Sequence, residues 1–449
     1  MVGSAKGEAF IPCRRRDLLE LCLEEGRLEP ADAKKFREFC QILSAYYHFR
    51  FHHKLETLKE CFVPFNPNLE LKPRATLSPA QQAEMEDKLA NTFRSLLESA
   101  NYFPVSEAML KEALQQRSLI ELKTEVNFKD FDRMVLYCRG DVSKEIWRKK
   151  WGFKKVQETI EVFERVMLLV KFKAEDYFID SGMKPEEISF SPGKMYLYFY
   201  KNIPKFDLEF LFPNIKTSMT WKDRLLFGIP AIGASIAIVL RVLNHFLLII
   251  GAILFVVGVP ASFEYLKAHQ QEVRDIFPIL IAALSLIIAL GGFAFKQYTN
   301  YQSKKIKFQK EVTDKLFYRN LANNAGVFQM LVDAAEEEEC KEIILVYYHL
   351  LTCEQSLTPA QLDARIETWL HERLGVEADE VPINFDIHKT LDNLAEIQGK
   401  VVEQPDEMPD TPEVPLVRYT SSGTCEVLSL DKAKRAIDYI WDRAFLYSN

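Results

Sequence analysis

His48, His52 and Glu56 recur four residues apart, with His53 alongside. On a helix they share one face, and two histidines so spaced can hold one metal ion. The order departs from H-E-x-x-H and no further ligand is identifiable, so YYHFRFHHK reads as an aromatic and basic helix face. Ser191-Pro192-Gly193-Lys194 has the end of a phosphate-binding loop without its start. Ile188 stands where the first glycine belongs, and no Ser or Thr follows Lys194, so the segment reads as a turn. Glu336–Glu339 lacks the E-x-x-H motifs of a carboxylate-bridged metal pair. As the first turn of an apolar helix over Ile343–Leu351, these acids favour the helix dipole. Arg319-Asn320-Leu321-Ala322-Asn323-Asn324-Ala325-Gly326 breaks a helical pattern with turn-forming residues. It reads as a structural corner, and Arg319, Asn320, Asn323 and Asn324 are the candidates for a ligand or partner contact. The G-x-S-x-G and Rossmann signatures are absent. The sequence assigns no catalytic residue, no cofactor and no metal ligand.

The elements that would position such groups follow from composition and periodicity. A chain of 449 residues has room for two or three domains. Its net charge of −7 argues against a nucleic-acid partner, which calls for a basic surface. Eight cysteines are scattered without a C-x-x-C pair, the pattern of free thiols in a reducing compartment. MVGSAKGEAFIPCRRRD has no apolar core of a cleaved secretory signal.

Two apolar stretches, 225–259 and 277–295, predict a membrane hairpin. Phe277–Phe295 carries no charge and at the helical rise covers roughly 28 Å, close to a bilayer core. Leu225–Val259 would reach about 52 Å as one helix and is interrupted by Arg241, Asn244 and His245, so it breaks near Arg241. Lys222 and Arg224 precede the hairpin; Lys296, Lys304, Lys305 and Lys307 follow it. Basic residues on both flanks place both ends on the cytoplasmic side with two crossings; three crossings are the alternative. These lysines can also meet anionic lipid headgroups.

The fold class expected is an α+β membrane protein. An N-terminal α+β soluble domain occupies 1–218, the membrane hairpin 219–298, a juxtamembrane basic helix and turn 299–335, and a winged-helix-like domain 336–449. In the first domain Phe36, Phe39, Cys40, Leu43 and Tyr47 recur at helical spacing, and Ser78-Pro79-Ala80-Gln81 starts a helix. Ile160–Phe172 and Lys194–Tyr200 have the residues of antiparallel strands. In the last domain Thr358-Pro359-Ala360-Gln361 opens a helix closed by Gly375, a further helix carries Ile387, Leu391 and Leu394, and a hairpin turns at Ser421-Ser422-Gly423. The third helix there is not basic and the following loop is acidic, so the module suits protein contacts and not DNA.

The stretches FIPCRRRDLLE, FVPFNPN, FDRMVLYCRGD, IPKFDLEFLFPN, DRLLFGIPAIG, FYRNLANNAG and EEEECKEIILVYY together resemble the family typified by transmembrane protein 143. The resemblance covers most of the chain and is most specific over Arg319–Tyr348. It implies a membrane topology, relatives in cyanobacteria, plants and animal mitochondria, and no assigned reaction. With no organelle transit peptide evident, it favours a bacterial member in an inner or thylakoid membrane, an organelle membrane being the alternative. The function expected is a non-enzymatic, membrane-anchored scaffold or regulatory protein with a protein partner and membrane lipids around it. The alternatives are an oligomeric transporter, channel or lipid-handling protein, its copies packed through Gly228–Ala237, and a metal-dependent enzyme using His48 and His52.

Overall fold

A computed structural model describes residues 9–69, 77–106, 108–110, 123–150, 154–183, 188, 190–218, 267, 270–375, 383–401 and 412–444. In chain order the elements are α1 (Arg15–Glu24), α2 (Pro30–Phe62), α3 (Pro79–Ser99), β1 (Phe103–Pro104), β2 (Lys123–Glu125), β3 (Phe131–Lys150), β4 (Lys154–Phe172), α4 (Glu175–Asp180), β5 (Met195–Pro204) and β6 (Lys216–Ser218). Then come α5 (Gln270–Arg319), β7 (Asn320–Asn323), α6 (Ala325–Leu351), α7 (Pro359–Leu374), α8 (Ile387–Glu396), β8 (Gln398–Lys400), β9 (Glu413–Pro415), β10 (Val417–Tyr419), β11 (Cys425–Val427) and α9 (Leu430–Arg443).

The chain divides into two units. The first is assembled from three separate stretches, Met1–Gln116, Phe128–Leu211 and Tyr318–Asn449. Its sheet is antiparallel, five-stranded and ordered β1-β3-β4-β5-β7. Alternate residues Val135, Tyr137, Met167, Leu169, Met195, Leu197 and Phe199 join the helical core. At the centre of that core lies α6, in contact with α1, α2, α3, α7 and α8. From Cys340 to His349 every residue of α6 is buried, so this stretch has no solvent face, as expected where a helix is surrounded on all sides. The second unit, Arg117–Asn127 with Phe212–Phe317, contains the β2/β6 pair, and there the Asn214 side chain donates to the Asn127 carbonyl at 2.9 Å.

Local sequence explains the helix starts. Ser78 and Thr358 each accept from the backbone N–H of the glutamine three residues on, whose side chain returns the bond. Gly375 closes α7 in the left-handed conformation at φ 62°.

The membrane expectations are corrected. Among the described residues no helix is long and apolar enough to cross a membrane. The second expected crossing, Phe277–Phe295, lies within α5, a continuous helix of 50 residues that runs on through Lys296, Lys304, Lys305 and Lys307. Its charge-free length alone suggested a span; in the structure it is one stretch of a longer, charged rod. The segment 225–259, with Gly228–Ala237, lies outside the described residues. The transmembrane hairpin, the multi-pass character and the placement in a bacterial inner, thylakoid or organelle membrane with cytoplasmic domains are withdrawn on this finding. The architecture shown is α+β with a five-stranded antiparallel sheet.

Two smaller expectations also change. The corner at 319–326 contains an edge strand: β7 pairs with β5 through Tyr198↔Asn323, Phe199↔Ala322 and Tyr200↔Asn320. Glu336–Glu339 stand in the middle of α6, which begins at Ala325, so the dipole of a first turn does not explain them.

Candidate functional site

Four of the sequence candidates come together at the end of α5. Arg319 Nη1 lies 3.8 Å from Asp207 Oδ2. Asn320 Nδ2 donates to Asn323 Oδ1 at 2.7 Å. Asn324, at φ 48°, accepts from the Leu197 N–H through Oδ1 at 3.2 Å, while its own N–H donates to the Leu197 carbonyl at 2.9 Å. These side chains close the sheet edge and set the entry into α6. Lys296, Lys304 and Lys307 are exposed on α5 and Lys305 is half-buried; Lys222 and Arg224 lie outside the described residues. His48 Nδ1 sits 2.9 Å from Glu336 Oε2, and Glu56 pairs with Lys59. Among the described residues no three His, Cys, Asp or Glu side chains are grouped to hold a metal.

A polar junction that the sequence did not disclose lies inside α6. Glu338, Lys341 and Glu342 are buried at 2%, 1% and 1% exposure, where a lone charge would be costly. Each is partnered. Lys341 Nζ donates to Glu338 Oε1 at 2.8 Å, to the Ile11 carbonyl at 2.6 Å and to the Cys13 carbonyl at 3.1 Å. Glu338 Oε2 accepts from the Ile11 N–H at 3.3 Å, so the pair clamps the segment before α1 by both backbone groups. Glu342 accepts from Asn101 Nδ2 at 2.8 Å and Thr390 Oγ1 at 3.4 Å, with Lys389 Nζ 3.5 Å away. Burial pushes its carboxyl up to about 7, aided by Glu338 and Glu339 and opposed by Lys389 and the Asn101 bond.

A second junction joins the α1–α2 loop to α6 and α7. Glu25 accepts from Tyr348 at 2.7 Å and from Trp369 Nε1 at 2.8 Å. His349 Nδ1 accepts from Arg365 Nε at 3.2 Å, and burial together with the Arg365 charge pushes its imidazole down to about 3, so it is neutral. Burial, then Glu25, pushes the Tyr348 phenol up, and burial pushes up the Cys22, Cys40 and Cys340 thiols. Protonated groups of this kind donate hydrogen bonds and are poor nucleophiles. Both junctions hold segments together, and the periodicity of an amphipathic helix could not announce them because α6 has no polar face to compare from Glu338 to His349.

The remaining feature is a projecting arm. β1 pairs with β3 only to Cys138, and β5 pairs with β4 only to Val162. Beyond those points β3 and β4 continue as a two-stranded ribbon to Lys150↔Lys154, with no third strand among the described residues. At the strand rise, Ser143–Lys150 extends about 26 Å. At its root stands Gly140, at φ 75°, where an added Cβ would lie 2.5 Å from Glu164 Cγ. Lys205 Nζ fastens the two strands there, 2.9 Å from Asp141 Oδ2 and 3.0 Å from Glu161 Oε2, and Lys144 Nζ reaches Asn202 Oδ1 at 2.8 Å. Towards the tip Trp147 is 68% exposed. The register sets Lys149 opposite Lys155 and Lys150 opposite Lys154. Like charges directly opposite destabilise a ladder.

A family model described as a protein of unknown function (DUF3754) matches residues 163–326, which include β4 from Phe163, β5, α5 and the Arg319–Asn324 corner. No solved structure matches the chain.

Proposed function

We propose that the chain is a non-enzymatic binding protein, a scaffold or regulatory module, whose contact element is the β3–β4 arm. The observation that carries this is the arm itself. It is pinned at its root by Lys205 and projects as an isolated ribbon with a tryptophan near its end. An isolated two-stranded hairpin is marginal in water, so a ribbon of this length is suited to being completed by something else. Exposed tryptophan, flanked by cations, is the residue type most often found at the energetic centre of protein contacts.

The buried junctions support the same reading, because they brace the body that carries the arm. The alternatives weighed from sequence have lost their footing: the transporter reading needed membrane crossings, and His48 is engaged by Glu336. As to relatives, we place the chain beside the transmembrane protein 143-like proteins by sequence. IPKFDLEFLFPN and FYRNLANNAG, which carry that resemblance, both lie within the matched 163–326.

The test is recovery of bound proteins on the full chain and on one in which residues 143–161 are replaced by a two-residue Asn-Gly turn. Loss of a reproducible partner with the arm is expected; the same partners on both proteins would sink the proposal.

A further inference from the structure

The core-side face of the sheet changes character one row beyond the core. Tyr137, Met167 and Phe199, register partners across β3, β4 and β5, form the last apolar row and are all buried. The next row on that face is Arg139↔Arg165 and Arg165↔Lys201, three half-buried cations side by side on adjacent strands. At the usual strand spacing they span roughly 10 Å. Like charges directly opposite one another destabilise a ladder, so the row gains from anything negative that meets it.

Among the described residues no acid does. None of the three cations makes an ion pair there. Arg139 Nη1 donates to the Ala100 carbonyl at 3.2 Å and Arg165 Nη1 to the Glu164 carbonyl at 2.9 Å, both uncharged acceptors. The Arg139 guanidinium also lies over the rings of Phe10 and Tyr102, at 4.0 and 4.8 Å. Aromatic faces attract a cation without cancelling its charge. The acid one row further out, Asp141, is already taken by Lys205 at 2.9 Å.

A second observation leads to the same place. Tyr102 stands just before β1, whose Phe103 pairs with Cys138, the neighbour of Arg139. It is 4% exposed, and its hydroxyl is buried with no hydrogen-bond partner. Leaving such a group unpaired is costly. Burial pushes this phenol up, while the charges of Arg139 and Arg165 both pull it down, so the hydroxyl lies in the field of the basic row.

We propose that the Arg139–Arg165–Lys201 row, with the Tyr102 hydroxyl, binds a soluble oligophosphate, a small anion with two or more linked phosphoryl groups. Guanidinium groups grip phosphoryl oxygens through paired hydrogen bonds, the lysine adds a point charge and the phenol an uncharged donor. A single phosphate meets only part of a row roughly 10 Å long, whereas linked phosphoryl groups reach along it. Cations half-buried beside a packed core suit an anion small enough to enter, and not a flat lipid surface. The site lies wholly in the first unit and shares no residue with the 143–161 segment of the arm, so it stands or falls independently of the arm.

The experiment is titration calorimetry of the full chain with sodium pyrophosphate in a phosphate-free buffer. One pyrophosphate per chain is expected, bound at least about tenfold more tightly than inorganic phosphate or sulfate. Arg165→Gln and Lys201→Gln should each weaken it by about tenfold, the loss of one charge-assisted hydrogen bond. Tyr102→Phe should weaken it by about threefold, as for an uncharged donor. Lys59→Gln, which removes an exposed cation on α2, should leave it unchanged. A thermal melt of each variant without ligand guards against loss of fold, and pyrophosphate should raise the melting temperature of the wild type. Vesicles of phosphatidylcholine and phosphatidic acid, whose headgroup phosphate offers related chemistry, should not retain the chain.

No heat from pyrophosphate at millimolar concentration overturns the proposal. So does equal affinity for sulfate, or binding indifferent to both Arg165→Gln and Lys201→Gln. A loss in Lys59→Gln as large as theirs would reduce the effect to net charge and overturn it too. Retention on the vesicles through Arg165 and Lys201, without pyrophosphate binding, would replace the soluble ligand with a lipid one.

Discussion

Glu342 has an ordinary carboxyl value of 4.5 that the fold pushes up to about 7, through burial first and then the charges of Glu338 and Glu339. Between those values the folded chain holds a proton that the unfolded chain has released. Stability from this group is therefore complete below pH 4.5 and is lost as pH rises through about 7. A separation of about 2.5 pH units, at ~1.36 kcal/mol each, amounts to about 3 kcal/mol. Glu342→Gln removes the titration while keeping a carbonyl acceptor for the Asn101 amide. Urea unfolding of both proteins across this pH range, followed by circular dichroism, gives the difference in stability at each pH. The wild type should lose about 3 kcal/mol relative to the variant between pH 4.5 and a pH above 7. A difference independent of pH would refute the reasoning. So would a wild type that gains on the variant as pH rises, for then Lys389, 3.5 Å away, would be holding the carboxylate ionised.

Lys341→Met should cost about 3–5 kcal/mol in denaturant unfolding, because it leaves Glu338 charged and buried and frees the Ile11 and Cys13 carbonyls. Limited proteolysis should then cut ahead of α1. Gly399→Ala sets a Cβ 2.1 Å from the backbone carbonyl oxygen of Ala436, which cannot swing aside, so it should destabilise by on the order of 3 kcal/mol by the same assay. Thr358→Ala removes the α7 cap and should cost about 1 kcal/mol in thermal or chemical unfolding. Trp147→Ala, by contrast, should change stability by less than about 0.5 kcal/mol, since the side chain is exposed.

What the sequence disclosed was set by local chemistry. Ser78 and Thr358 were legible as caps because the capping residue, the proline and the glutamine stand within four positions of one another. β5 was legible because KMYLYFY is dense in strand formers. The start of α6 was not, because Asn324 makes no side-chain cap and spends its amide oxygen on Leu197 across the sheet. That displaced start is why the sequence pattern puts Glu336–Glu339 in a first turn. β7 escaped because asparagine and alanine are poor strand residues, held in the ladder by β5. The outer half of β3 and β4 escaped for a related reason: a ribbon with no core on either face shows no apolar alternation. The expected crossing Phe277–Phe295 shows the converse error, a charge-free length read without the helix that continues it.

The three-stretch make-up of the first unit has a consequence for how the protein is born. Lys35 on α2 pairs with Asp431, and Glu38 with Lys434 on α9, across 396 positions of chain. At ~5–20 residues per second, a ribosome that has delivered α2 needs roughly 20–80 s more to deliver α9. For roughly 15–60 s of that interval the apolar face of α2 that α6 will cover, with Phe36, Phe39 and Tyr47, waits without its neighbour. Vectorial synthesis thus makes this body complete only at its last helix, and nascent-chain chaperones have a long window in which to hold the first ones.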